Sequence, residues 1–146
     1  MKSIHTEIEI NAPVNTVWTI LMDFEKYSEW NPFIKSIEGK GEAGASLKVL
    51  LAQPDSKPMT VKPKCQTVAV NQEFRWRGHM LFKGIFDGEH IFKMKEIEGG
   101  KTKFVQCENF DGILLPMFWK MLNTKTIKGF EMMNRALKER AENQSA

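Results

Sequence analysis

"LPMFWKMLNTKTIKGFEMMNRALKER", residues 115–140, carries a single apolar stripe. Leu115, Phe118, Trp119, Leu122, Thr126, Phe130, Met133 and Leu137 recur at spacings of mostly three and four. That is the period of a helix buried along one face. At about 1.5 Å per residue the predicted helix is roughly 40 Å long. A helix of that length has to lie across something wide. Gly129 in its interior costs about 1 kcal/mol relative to Ala, so it marks a close approach or a kink. The closing "ENQSA", residues 142–146, reads as a frayed tail.

The wide object is predicted upstream. In "SIHTEIEI", residues 3–10, Ile4, Thr6, Ile8 and Ile10 share one face, the period-two mark of a half-buried strand. The period then changes. Val14, Val17, Trp18 and Leu21 form a helical stripe, with Pro13 suited to the first helical position and Asn11 to a cap or turn. Asp23 opens a second short helix, "FEKYSEW", which Pro32 closes because the residue before a proline disfavours helix. The runs "FIKSIEG", "SLKVLLAQ", "MTVKPKCQTVAV", "QEFRWRG", "GIFDGEHIFKMKEIE" and "TKFVQCENFDG" follow, separated by Gly, Asp and Pro. They predict a chain of antiparallel hairpins. Pro63 argues for an edge or bulge, and Gly78, Gly84 and Gly88 for bends or bulges. Strands and helices are segregated, so the class is α+β.

Composition sets limits on function. A chain of 146 residues suits one domain, 1–146. The formal charge is +3 with both signs interspersed, which leaves no basic stripe for a nucleic acid to follow. Cys65 and Cys107 lie far apart with no metal or redox spacing, and read as small hydrophobes of a reducing compartment. The N-terminus alternates instead of running apolar, and no stretch approaches the roughly 18 apolar residues of a membrane span. A cytoplasmic protein without stable membrane insertion is expected. His5, His79 and His90 fall on separate predicted elements, and no phosphate-cradling glycine motif occurs. No metal and no cofactor are therefore expected. The oligomeric state, monomer or homodimer, is not encoded here.

The element order, with "APVNTVW", "YSEWNPF" and "ENFDGILLP", resembles the START/Bet v 1-like superfamily, in particular its polyketide cyclase/dehydrase-like (SRPBCC) branch. The resemblance implies a helix grip: a curved antiparallel sheet of about seven strands around the long C-terminal helix, with two short helices after strand 1. It also implies an apolar cavity between sheet and helix. It does not name a substrate, since members include lipid and hormone binders, aromatase/cyclases and a co-chaperone.

Alternation nominates the residues that would face such a cavity. Thr102, Phe104, Gln106, Glu108 and Phe110 share a face, as do His90, Phe92 and Met94, and Phe74 and Trp76. Arg75 and Arg77 fall outside. The expected lining is Trp76, His90, Phe92, Gln106, Glu108 and Phe110 from the sheet, with Phe118, Met121, Leu122 and Lys125 from the helix. "KYSEWNPFI", residues 26–34, reads chiefly as a structural joint, with Tyr27 or Phe33 at the cavity mouth. Glu108 and His90 are the candidate acid/base pair, because a carboxylate on an apolar wall needs a partner and histidine transfers protons near neutral pH. The alternative assigns Glu108 to backbone hydrogen bonding and His90 to the core.

Three functions fit. The first is binding of a small hydrophobic or aromatic molecule. The second is cyclase/dehydratase chemistry by Glu108 and His90. The third is a protein-interaction domain of the co-chaperone type.

Overall fold

The computed structural model describes residues 1–80 and 83–145, so Ala146 at the end of the expected domain lies outside the described residues. Strand β1 (Lys2–Ile10) leads into helix α1 (Val14–Met22), a 3-10 turn (Phe24–Lys26) and helix α2 (Tyr27–Trp30). Seven strands follow: β2 (Ile34–Glu38), β3 (Lys48–Leu51), β4 (Met59–Val61), β5 (Lys64–Ala69), β6 (Glu73–Met80), β7 (Phe86–Ile97) and β8 (Lys101–Asp111). The last segment is helix α3 (Leu115–Met121), a π-helical turn (Leu122–Thr126) and helix α4 (Ile127–Ser145).

Among the described residues, the strands form a five-stranded sheet, β1-β8-β7-β6-β5, and a three-stranded sheet, β2-β3-β4. Every pairing is antiparallel. The sequence reading of about seven strands in one sheet becomes eight in two because Pro63 divides one run. Proline has no N–H to give to a ladder. Its carbonyl instead accepts from Leu47 N at 2.9 Å, and β4 and β5 part on either side. A lone bridge, Ser46 to Lys64, still ties the two sheets.

The two sheets and the C-terminal helix make an α+β helix grip. Phe33, Phe74, Phe92, Phe104, Phe130, Met133 and Leu137 are buried in one core. The helical stripe is continuous in burial from Leu122 through Thr126, Phe130, Met133 and Leu137 to Ala141. Gly129 marks a close approach: a Cβ there would lie 2.6 Å from the Phe33 ring. The corner after α2 is held by Asn31, whose Oδ1 accepts from Phe33 N at 2.9 Å and Ile34 N at 2.8 Å.

Four expectations need correction. Pro13 is the N-cap of α1, extended at ψ 152°, and not its first helical residue. Asn11 caps nothing with its side chain; its N–H donates to Glu142 Oε2 at 2.9 Å. That contact, with Lys138 pairing the same carboxylate, keeps the expected frayed tail helical as far as Ser145. Gly78 and Gly88 sit opposite each other in unbroken register and form no bulge.

Candidate functional site

A cavity of about 760 Å³ lies between the grip and the helix. The β6–β8 wall gives it Trp76, Gly78, Gly88, His90, Glu108 and Phe110. The second sheet and the loop after β3 add Leu51, Gln53, Met59 and Val61, and the corner adds Phe33. Phe118, Met121, Leu122 and Thr126 come from α3 and the π turn. The rim holds the exposed Lys48, Lys57 and Lys62.

The expected lining is thus brought together at Trp76, His90, Glu108, Phe110, Phe118, Met121 and Leu122. Four residues fall elsewhere. Phe92 and Gln106 face inward but lie fully buried: Phe92 is packed among Phe74, Trp76, His90 and Phe104, and Gln106 lies beneath α4, donating to Asn134 Oδ1. Lys125 is exposed and donates to Asp55 O at 3.4 Å. Tyr27 is fully buried and donates its hydroxyl to Leu21 O. Burial, with Asp23 adding to it, pushes that phenol well above its ordinary value. Alternation tells which face a side chain takes. It does not tell how far along the strand the helix still covers it.

His90 is the most constrained group on the wall. Its ring packs against Trp76, Phe92 and Phe130, with centroids 4.9, 4.5 and 4.8 Å away. Its Nε2 lies 2.9 Å from Gln106 Oε1, and its Nδ1 3.5 Å from Glu108 Oε1. Glu108 is itself fitted to the wall: a Cβ on Gly88 would collide with its Oε2. Gly88 is therefore a clearance for the carboxylate, a role its place in a strand run did not reveal.

Two further lining residues, Thr126 and Gln53, carry buried oxygens, Oγ1 and Oε1, with no hydrogen-bond partner among the described residues. Neither was expected from the sequence. Thr126 sat in the apolar stripe of the helix, and Gln53 closed a strand run. Buried polar atoms of this kind cost free energy until something meets them. The arrangement amounts to an apolar chamber with a histidine–carboxylate pair on one wall.

A family model described as polyketide cyclase/dehydrase and lipid transport matches residues 1–142. A search of curated proteins finds no match. Solved structures similar to the chain include the Zhui aromatase/cyclase of a Streptomyces species, 14% identical with a TM-score of 0.80, over 99% of this chain and 96% of that one. A norcoclaurine synthase point mutant from Thalictrum flavum, in complex with a transition-state analogue, is 16% identical with a TM-score of 0.75, over 99% and 96%. A START superfamily protein from Mycobacterium smegmatis is 19% identical with a TM-score of 0.73, over 97% and 98%. At these identities the likeness is one of fold.

Proposed function

The chain belongs to the polyketide cyclase/dehydrase and lipid transport family, and on that premise we propose that it binds a small hydrophobic or aromatic molecule in the chamber between the grip and the helix. The carrying observation is the chamber itself. Its volume of about 760 Å³ falls within the roughly 300–1,000 Å³ of small-molecule sites. Its walls are mainly apolar, with a few polar atoms placed to orient a guest. Trp76, Phe110, Phe118, Met121 and Leu122 supply contact area. Glu108 and His90 supply direction. An open chamber also counts against the co-chaperone reading, which needs no interior space.

Native mass spectrometry of the purified protein tests this reading. The expected result is a retained small molecule, or saturable uptake of anilinonaphthalenesulfonate with one site per chain. A chain that carries nothing and takes up no dye would end the proposal.

A second reading has its own observation, the 3.5 Å approach of His90 Nδ1 to Glu108 Oε1. It is cyclase/dehydratase chemistry of the kind named for the aromatase/cyclase above. An ionised Glu108 would take a proton from a ligand carbon. His90, protonated at Nδ1, would give its proton to the departing hydroxyl, which leaves as water. The proton then passes from Glu108 back to His90, restoring both groups. Glu108→Gln separates the readings: binding retained with turnover lost supports catalysis, and unchanged turnover of a candidate substrate removes it.

A further inference from the structure

His90 is held by aromatic rings that set its plane, but a ring plane does not say which nitrogen carries the proton. The polar atoms behind it do. The relevant chain starts at the backbone carbonyl of Gln106, which can only accept. Thr6 Oγ1 lies 2.7 Å from it, so Thr6 spends its one hydroxyl proton there. Thr6 Oγ1 must then accept from Asn134, whose Nδ2 lies 2.9 Å away. That orientation turns Asn134 Oδ1 toward Gln106 Nε2, at 2.8 Å. A second acceptor, the Phe130 carbonyl, faces the same Nε2 at 3.5 Å. Gln106 therefore presents its Oε1 to His90, at 2.9 Å. An amide oxygen has no proton to offer, so His90 Nε2 has to be the donor.

The reverse polarity is disfavoured at both ends. It would set Gln106 Oε1 against the Phe130 carbonyl. It would also take the Thr6 hydroxyl away from the Gln106 carbonyl. All four side chains are buried, Gln106 wholly so, and a buried polar group left unmet is destabilising.

We infer that Thr6, Asn134 and Gln106 are positioning residues that lock the proton of His90 on Nε2, so that Nδ1 is the nitrogen that trades a proton with Glu108 at the chamber wall. The inference deepens the functional reading and rests on it for the use of His90 and Glu108, but not for the state of the ring. Each residue has one task. Thr6 fixes the polarity, Asn134 transmits it, and Gln106 imposes it on the imidazole. The consequence for chemistry is directional. Any proton moving between His90, Glu108 and a guest moves on the Nδ1 side, facing the chamber, and none leaves toward the core.

The test is nitrogen-15 NMR of the imidazole in full-length protein labelled at histidine, with the His90 signals assigned by their loss in His90→Gln. Spectra are followed upward in pH. The expected result is that Nδ1 gives up its proton while Nε2 keeps it. A neutral His90 protonated on Nδ1 would overturn the inference. Asn134→Leu removes the middle of the relay, and Thr6→Val, the milder change, removes its anchor. In each variant that folds, a mixture of the two neutral forms is expected in place of one. Unchanged spectra in Thr6→Val would mean that the relay does not set the ring, and would also overturn it. The spectra need no ligand, so a failure of the binding reading is recorded separately, in the mass of the native protein.

Discussion

Gly129 and Phe33 show how one missing side chain places a helix. By propensity, alanine at position 129 would gain about 1 kcal/mol over glycine. The packing opposes this. The added Cβ would meet three carbons of the Phe33 ring, the nearest at 2.6 Å, and Phe33 is itself pinned edge-on to Phe130, with centroids 5.5 Å apart. Overpacking of a filled core costs about 1–3 kcal/mol, so steric cost wins. Gly129→Ala is expected to lower stability in urea unfolding, by up to about 2 kcal/mol once the propensity gain is subtracted; a stabilised variant would mean that helix and corner are not in tight contact. The sequence exposed half of this. A glycine inside an unbroken apolar stripe has to be doing something, but its partner, 96 residues upstream in numbering (129 − 33), carries no local mark. Glu108 and His90 were nominated for the same reason the face of β8 was legible, because strand side chains alternate. Alternation sets Gln106 and Phe92 one step too near the chamber, because it cannot show that α4 crosses over Gln106 or that neighbouring rings of the sheet enclose Phe92.

Elements were legible where the period changed and obscure where a single residue altered their course. The π turn at Leu122–Thr126 left the spacing of the stripe intact, since Leu122 and Thr126 are four apart in either kind of turn. The division of the sheet at Pro63 was visible only as an interruption. The β6–β7 hairpin shows a further layer that the pattern of hydrophobic residues cannot carry. Asp87 is buried near its end and accepts from Gly84 N at 3.1 Å, while His79 Nδ1 lies 2.9 Å away and Arg77 Nη2 3.8 Å away. Burial pushes the Asp87 carboxyl up, but the hydrogen bonds from His79 and the Gly84 amide outweigh it and hold the group below its ordinary value. A lowered folded-state value gives a contribution that is complete above the unfolded value, about 3.9, and lost as pH falls through the folded one. Asp87→Asn should therefore cost about 1–2 kcal/mol near neutral pH, and the cost should fade as pH falls below the ordinary carboxylate range and through the lowered folded-state value. Urea unfolding of both proteins across that range measures it. A penalty that stays constant with pH would assign the effect to shape and not to charge.

At the scale of the molecule, the long helix and the curved sheets touch firmly at one end and part at the other. At the firm end Phe130, Met133 and Leu137 leave no accessible surface. At the open end α3 and the π turn line the chamber through Phe118, Met121, Leu122 and Thr126. Stability and the proposed binding are therefore separable, and a substitution at the open end can fill space without disturbing the core. Met121 is suited to this, being half-buried on the lining. Met121→Trp is expected to leave the melting temperature within a few degrees of the parent, since the added ring enters existing space. A guest that binds only the folded chain stabilises it by about 2.7 kcal/mol at a hundredfold excess over its Kd, or roughly 5–10 °C for a chain of this size. Anilinonaphthalenesulfonate at saturating concentration should produce that rise in the parent and little or none in Met121→Trp. Equal rises in both would place the dye outside the chamber. A variant that collapses on heating without dye would mean that the open end contributes to the core after all.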